Sequence, residues 1–255
     1  MYGAGSQPNE SLTGDGSGTS PDGHHDPDCF YYVTLYNEAY EMPPRPDHVT
    51  DADVVRGLYL WADAPEVAGD KPGGNNDPDG LQEQAPPRRA TLVFSGSAHG
   101  AARAAADELA ERWGVAVDLW SATSYKRLRE EALAVERRNR LHPTEQAEVP
   151  LVTRLLADGD GPVVAVTDYQ KLVPGQVARW IPRPYHTLGT DGFGRSDTRG
   201  ALRRFFEVDV GHVVVAVLHA LSREGTVPAE VVAEAIAHHG IDVDAPDPGR
   251  HDTVP

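Results

Sequence analysis

The sequence predicts an α/β fold, a three-layer sandwich in which helices cover both faces of a mostly parallel sheet. Between residues 90 and 242, short apolar runs typical of strands alternate with longer segments whose apolar residues recur at helical spacing. Strands that alternate with helices pair in parallel through right-handed crossovers. With 255 residues and 40% hydrophobic side chains, the chain is long enough and apolar enough to bury a sizeable core.

The first unit of strand and helix begins at residue 90. Residues 90–95 (ATLVFS) form a short apolar run, and Gly96 marks a turn after it. Ser97 is predicted as the N-cap of the next helix, which should end at Gly114. The apolar residues that share one face of this helix are Ala102, Ala105, Ala106, Leu109 and Trp113.

The alternation continues to residue 239. Further strands are predicted at 115–120 (VAVDLW), 162–167 (PVVAVT) and 185–189. A helix capped by Ser124 should bury Tyr125, Leu128, Ala132 and Val135. After the fourth strand the pattern predicts a glycine-rich turn, a helix through Phe206, and helices at 210–223 and 228–239, the last ended by Gly240.

Composition divides the chain into five parts. Residues 3–29 contain a single large aliphatic side chain, Leu12, among Gly, Ser, Pro and Asp, so they cannot offset the entropy of ordering. Residues 64–89 have the same character, and the chain looks loose again from Pro246 onward. The predicted parts are a disordered leader (1–29), the opening segment of the domain (30–61), a flexible insertion (62–89), the domain proper (90–242) and a tail (243–255).

Charge and hydropathy exclude several classes of partner. The chain has 23 basic and 39 acidic side chains, and its net charge of -16 would repel nucleic acids and anionic membranes. The longest strongly apolar run, 213–218, is far shorter than the roughly 20 residues that span a bilayer, and the N-terminus has no basic start. We therefore expect a soluble, cytoplasmic protein. Its single cysteine, Cys29, excludes an internal disulfide framework.

Searches for catalytic and metal-binding motifs find no strong match. The glycines do not fit a dinucleotide fingerprint, and no P-loop, zinc-protease or C-x-x-C pattern occurs. We interpret the histidine doublets, His24–His25 and His238–His239, as structural rather than metal-binding. Polar residues that follow the predicted strands are generic ligand-binding candidates, but they include no evident nucleophile with its base. These candidates are Ser95, Ser97, His99, Ser121, Thr123, Asp168, Asp191 and Arg195.

Residues 188–199 (LGTDGFGRSDTR) are unusual because they crowd glycines and charges around an aromatic residue, between a strand and a helix. Gly192 and Gly194 permit backbone conformations closed to other residues, while Ser196 is suited to capping the helix and Asp197 to its positive end. One interpretation is a tight strand-to-helix turn. The other is a loop held rigid so that Phe193 and Arg195 contact another surface.

Seven segments together resemble one family. They are FYYVTLYNEAYEMPPRP (30–46), VVRGLYLW (54–61), FSGSAHGAARAAADELAERWGV (94–115), VDLWSATSYKRLREEA (117–132), ERRNRLHP (136–143), TDYQKLVPGQVARWIP (167–182) and LGTDGFGRSDTRGALRRFFEVD (188–209). In order and spacing they are similar to the C-terminal third of the homodimeric bacterial pyruvate dehydrogenase decarboxylating component. The resemblance covers essentially all of the chain predicted to be ordered.

The resemblance implies a transketolase-type C-terminal domain. In that family thiamine diphosphate and magnesium lie between the other two domains of a dimer, so a partner chain would bind them and this chain would bind neither. No catalytic, cofactor-binding or metal-binding residue of the family can be carried onto this sequence. What carries over is a subunit contact near the active-site side, formed by Asp191, Gly192, Phe193, Gly194, Arg195, Ser196 and Asp197.

Two functions remain open. In the first, the chain is a subunit of a split enzyme, either a dehydrogenase for a pyruvate-like 2-oxoacid or an acyl- or ketol-transferring enzyme. It is inactive alone and forms a hetero-oligomer with a chain that carries the two cofactor-binding domains. The acyl group would pass to a lipoyl acyltransferase or to a small-molecule acceptor. In the second, the chain is a non-catalytic module that docks on a complete dehydrogenase. The leader and the insertion depart from the family pattern, and both suggest that the joint with the other domains is a contact rather than a peptide bond.

Overall fold

The computed structural model describes residue 33, residues 43–67 and residues 88–250. The predicted leader, most of the predicted insertion and residues 251–255 lie outside this range, and so do Cys29 and the first histidine doublet. The chain divides into two compact units, Met1–Arg45 and Pro46–Pro255. The sheet and its helices belong to the second unit.

A five-stranded sheet forms the centre of this unit. Its strands are β1 (Leu58–Ala62), β2 (Arg89–Ser95), β3 (Ala116–Ala122), β4 (Val163–Thr167) and β5 (Tyr185–Leu188). Their spatial order is β1-β3-β2-β4-β5; β2 to β5 run parallel, and β1 pairs antiparallel with β3. The predicted α/β class and parallel sheet are confirmed. The antiparallel edge strand β1 was not predicted.

Helices connect and cover the strands. They are α1 (Asp51–Arg56), α2 (His99–Trp113), α3 (Tyr125–Leu141), α4 (Leu151–Leu156), α5 (Leu172–Gly175), α6 (Arg199–Phe205), α7 (Val210–Arg223) and α8 (Ala229–His238), with 3₁₀ turns at Gly96–Ala98 and Ala178–Trp180. The predicted helices α2, α3, α6, α7 and α8 are all present. The short helices α1, α4 and α5 were not predicted.

Two hydrophobic clusters lie on opposite faces of the sheet, as a three-layer sandwich requires. On one face α2, α7 and α8 pack against the strands, and on the other α3 and α4 do so. Successive residues of β2 alternate between them: Leu92 and Phe94 belong to the first cluster and Val93 to the second. The central strands are therefore buried on both faces, which explains their continuous apolar runs.

One described stretch, Arg199–Arg223, is long and apolar enough to cross a membrane by length and composition alone. It comprises α6, α7 and the turn between them, and half of its apolar window is buried. Within α7, Val213, Val217 and Leu218 are completely buried in the first cluster. Packing against the sheet therefore accounts for the apolar character of this stretch.

Three of the predicted caps can be compared directly with the structure. Ser124 caps α3 by accepting a hydrogen bond from the Arg127 amide, as predicted. Ser97 does not cap α2, because it lies in the 3₁₀ turn and Ala98 precedes the helix. Ser196 does not cap α6 either; Thr198 does, accepting a hydrogen bond from the Ala201 amide.

The cap of α7 gives a prediction about pH. The Asp209 carboxylate accepts hydrogen bonds from the His212 amide (3.0 Å) and from Arg204 Nη1 (3.3 Å), and its Oδ1 lies 2.6 Å from His212 Nδ1. Burial by itself raises the pKa of Asp209, but the bonds to His212 and Arg204 outweigh burial and hold this pKa below its ordinary value of 3.8.

A carboxyl group with a lowered folded pKa stabilises the protein above its unfolded pKa and loses that contribution as the pH falls through the folded value. We expect Asp209→Asn to lower the free energy of unfolding by about 1 to 2 kcal/mol at neutral pH. The difference from the unmodified chain should shrink below about pH 4, the ordinary carboxyl range. Urea unfolding at several pH values measures it, and a difference independent of pH would contradict this explanation.

Candidate functional site at the carboxyl edge of the sheet

The carboxyl ends of β2 and β4 are joined by a buried hydrogen bond. Ser95 Oγ donates to Thr167 Oγ1 at 2.7 Å, and both side chains are buried. Thr167 Oγ1 also accepts the amide of Tyr169 at 3.2 Å. These hydroxyls are therefore satisfied within the fold and serve to fix the start of the loop after β4.

Asp168 holds the turn after β2 against the end of β4. Its Oδ2 accepts hydrogen bonds from the Ser97 amide (3.1 Å) and from Ser97 Oγ (2.9 Å). The carboxylate reaches this position because residue 96 is glycine: a Cβ there would lie 2.1 Å from Asp168 Oδ1. Gly96 also has φ +59°, a left-handed conformation that favours glycine. Ser97 and Asp168, two of the generic ligand-binding candidates, therefore hold the ends of β2 and β4 together. We call this pair of contacts the lock.

The loop after β4 is bound in turn to the segment after β5. Thr190 donates its amide to the Tyr169 carbonyl and its Oγ1 to the Asp168 carbonyl, both at 2.8 Å. Asp191 Oδ1 accepts the Lys171 amide at 2.9 Å. The backbones of the two segments approach so closely that a Cβ at Gly189 would lie 2.6 Å from the Tyr169 carbonyl oxygen. Residues 168–171 and 189–191 therefore form one bonded frame, which we call the edge frame.

Three exposed apolar side chains lie on the edge frame or within two residues of it. Tyr169 is 50% exposed, Leu172 75% and Phe193 76%. Exposed apolar side chains mark a site of contact with a partner when they form a contiguous patch. The sequence analysis predicts that Phe193 contacts another surface, and it does not single out Tyr169 or Leu172. We call these three residues the edge patch.

The predicted interface turn, 191–197, is held at both ends. At its start, Asp191 is bound to Lys171, and Gly192 has φ +97° and would place a Cβ 2.1 Å from the carbonyl oxygen of Pro248. Pro248, in the segment predicted to be a loose tail, is itself buried. At the far end, Asp197 Oδ1 accepts the Thr198 amide at 2.7 Å. Gly192 therefore has a specific role, whereas a Cβ at Gly194 would meet nothing within 4 Å.

Arg195 and its neighbours line a small pocket beside the turn. The Arg195 guanidinium lies 4.0 Å from the centre of the Phe205 ring, a cation–π contact within the domain. The pocket holds about 280 Å³ and is formed by Arg195, Ser196, Asp197, Ala201, Leu202 and Phe205. Pockets for cofactors and drug-sized ligands hold about 300 to 1,000 Å³. Arg195 thus stabilises the turn, and the pocket volume is close to the lower end of this range.

The other generic candidates have structural roles or no assigned chemistry. Ser121 is buried in β3, and Thr123 Oγ1 donates to the Val54 carbonyl at 2.6 Å. His99 is half-buried at the first position of α2. Ser121, Thr123 and His99 do not form a nucleophile with an adjacent base.

The carboxyl edge does not fit a magnesium-bound diphosphate. A hard cation of this kind needs carboxylate oxygens directed towards it. Both aspartates of the edge, Asp168 and Asp191, direct oxygens towards amides of their own chain instead. These hydrogen bonds hold the loops together.

Comparison with known proteins identifies the class of domain. The family model of the transketolase-like C-terminal domain matches residues 80–209. The chain belongs to this family. One solved chain found by structural comparison is described as "Split gene transketolase, inactive beta4 tetramer"; it is 21% identical, the match covers 64% of this chain and 48% of that one, and the TM-score is 0.37.

Among curated proteins, the chain is similar to pyruvate dehydrogenase E1 components. The pyruvate dehydrogenase E1 component of Mycolicibacterium smegmatis is 43% identical over 213 residues, which is 84% of this chain and 21% of that protein. The same component of Mycobacterium tuberculosis is 40% identical over 220 residues (86% and 22%), and that of Escherichia coli 38% over 227 residues (89% and 23%). The chain therefore spans a little more than a fifth of the length of these relatives. The resemblance inferred from the sequence is confirmed.

Proposed function

We propose that the chain supplies the third domain of a thiamine-diphosphate-dependent 2-oxoacid dehydrogenase, and that its edge patch docks on a partner chain carrying the two cofactor-binding domains. The family and the pyruvate dehydrogenase E1 relatives support the class of enzyme. The share of those relatives that the chain spans, 21% to 23%, leaves room for two further domains. We place the assembly in the cytoplasm.

The observation that carries the proposal is the edge patch on its bonded frame. Tyr169, Leu172 and Phe193 are at least half exposed, yet the backbone beneath them is fixed by the hydrogen bonds of Thr190 and Lys171. A surface that is rigid before binding loses little entropy when it binds. Aromatic anchors on such a surface contribute most of the affinity of a typical interface.

In this proposal the partner supplies the chemistry. Thiamine diphosphate and magnesium bind to the partner, since the carboxyl edge of this chain does not fit them, and decarboxylation of a pyruvate-like 2-oxoacid takes place there. The acyl group then passes to a lipoyl acyltransferase or to a small-molecule acceptor. This chain contributes shape and subunit contacts, and it is inactive alone.

The test begins with identification of the partner. Gentle purification of the chain from its native cells, followed by mass spectrometry, should reveal a stoichiometric protein with the two cofactor-binding domains. Mixing the purified chains should restore 2-oxoacid decarboxylation that neither shows alone. A monodisperse monomer with no partner contradicts the proposal. A complex with a dehydrogenase that is already complete and active supports the docking module instead.

The edge patch can be tested with single charges. Phe193→Asp and Leu172→Asp should each weaken binding of the identified partner about 30-fold or more, because a carboxylate would replace an apolar anchor in the contact. Surface substitutions of this kind should leave the free energy of unfolding within about 0.5 kcal/mol of the unmodified chain. Binding is measured by titration calorimetry or light scattering.

Leu141→Asp is the matched control, since Leu141 is 53% exposed but lies at the last residue of α3, away from the edge frame. It should bind the partner normally. Equal binding by all three variants would show that the edge patch is not the interface, even if the partner exists. Phe193 is a better probe than Arg195, because Arg195 also stacks on Phe205 within the domain.

A further inference from the structure

The structure brings three metal-ligating side chains together at the ends of two helices. Glu108 on α2, His238 at the end of α8 and the adjacent His239 have ligand atoms that all lie within 4.8 Å of one another. Glu108 and His239 are half-buried, and His238 is exposed. Glu108 lies 131 residues before His239, so the sequence pattern of the doublet alone could not reveal the third group.

The cluster is already ordered by contacts within the domain. His239 Nε2 lies 2.9 Å from Glu108 Oε1, and the same oxygen accepts a hydrogen bond from Trp113 Nε1 at 3.1 Å. The His238 ring packs edge to face against His239, with centroids 4.9 Å apart, and against Trp113, with centroids 6.3 Å apart. Two of the three ligands are therefore fixed, and the third stands at the solvent side, where an ion can reach it.

We propose that Glu108, His238 and His239 bind a zinc ion. Two imidazole nitrogens and a carboxylate oxygen are a ligand set that zinc takes with a fourth position left for water. Zinc–ligand bonds of about 2.0 to 2.2 Å in tetrahedral geometry place two ligand atoms about 3.3 to 3.6 Å apart. A rotation of the exposed His238 side chain closes the remaining gap. Trp113, which donates to Glu108, is the outer partner that such carboxylate ligands commonly have.

Bound zinc would also fix the end of α8. The carbonyls of His239 and Gly240 accept hydrogen bonds from Arg204 Nη2, at 2.9 Å and 2.6 Å. Arg204 belongs to α6, the helix that follows the predicted interface turn. Zinc therefore joins α2 to α8 at a point that α6 already contacts, and it should raise the melting temperature of the domain.

The competing explanation is a metal-free tether, in which the Glu108–His239 pair simply joins α8 to α2. The two explanations differ at His238, because the tether does not use this side chain whereas the zinc site requires it. His238 is exposed, so its replacement does not disturb the core.

The full chain, stripped with a chelator, is titrated with zinc chloride in a calorimeter. We expect one ion per chain at the site, with at least about tenfold weaker binding after His238→Ala or Glu108→Gln, and about tenfold after Trp113→Phe, which keeps every ligand but removes the outer hydrogen bond. Zinc should raise the melting temperature of the unmodified chain and not that of His238→Ala.

The other doublet provides the control. A variant with His24→Ala and His25→Ala should bind zinc as the unmodified chain does, and cobalt should give the intense visible absorption of a tetrahedral site in both. The proposal is overturned if His238→Ala binds zinc as tightly as the unmodified chain, if loss of His24 and His25 abolishes binding, or if the chain binds no zinc.

Discussion

Gly189→Ala is expected to lower the free energy of unfolding by about 2 kcal/mol, because it forces apart the two halves of the edge frame. A Cβ at this position would lie 2.6 Å from the Tyr169 carbonyl oxygen and 2.8 Å from the Lys171 amide nitrogen. Both contacts are with backbone atoms, which cannot rotate away. The clash can be relieved only if residues 169–171 move, and that movement breaks the hydrogen bonds from Thr190 and Lys171. Urea unfolding measures the loss.

Gly189→Ala should also weaken partner binding, because Tyr169 and Leu172 lie on one side of the edge frame and Phe193 on the other, and the substitution moves the two sides apart. Gly194→Ala is the matched control in the same region, because a Cβ there would meet nothing within 4 Å. We expect it to unfold within about 0.5 kcal/mol of the unmodified chain. If Gly189→Ala is equally stable, the two loops move independently and the edge frame is not a unit.

The fold was largely predictable because the central strands and the long helices have strong periodic signals. The run around Val93 is buried on both faces, and the helix from Tyr125 has a clear apolar face and a serine cap. The edge strand β1 was not predicted because its pairing is a tertiary property. Leu58 pairs with Ala122 in β3, far along the chain, and nothing in its own sequence specifies an antiparallel neighbour.

The two wrong cap predictions, Ser97 and Ser196, also arise because tertiary contacts are not visible in the local sequence. Ser97 has the right residue type and position for a helix cap, but Asp168, 71 residues later, takes both its hydroxyl and its amide. At the other turn, Thr198 lies two residues closer to α6 than Ser196 and its Oγ1 accepts the Ala201 amide. Local rules identify the residues that can cap a helix, while long-range contacts decide which of them does.

The same limit applies to the candidate site. The turn around Phe193 stood out by its composition, and its aromatic ring is 76% exposed, but its contact with another surface stays a prediction. Tyr169 and Leu172, which belong to the proposed edge patch, were not singled out because the run after β4 looks like an ordinary loop, although its apolar side chains directly follow the end of a buried strand. That position is the signal that could have revealed them.

The second large effect is expected at the lock between β2 and β4. Asp168→Ala should lower the free energy of unfolding by about 2 to 3 kcal/mol, because the amide and hydroxyl of the buried Ser97 lose a charged acceptor. Gly96→Ala should cost about 3 kcal/mol. Part of this is strain at φ +59°, and the rest arises because the new Cβ displaces the Asp168 carboxylate from Ser97.

The double variant separates these contributions. Once Asp168 is alanine, the Cβ at residue 96 has no carboxylate to displace, so only the backbone strain is added. We therefore expect the double variant to lose about 4 kcal/mol rather than the sum of about 5 to 6, a coupling of at least about 1 kcal/mol between the two positions. Asp168→Asn, which keeps an acceptor oxygen without its charge, should fall between the unmodified chain and Asp168→Ala. Strict additivity in urea unfolding would mean that Gly96 is required for its backbone conformation alone, and that its contact with Asp168 contributes nothing to the lock.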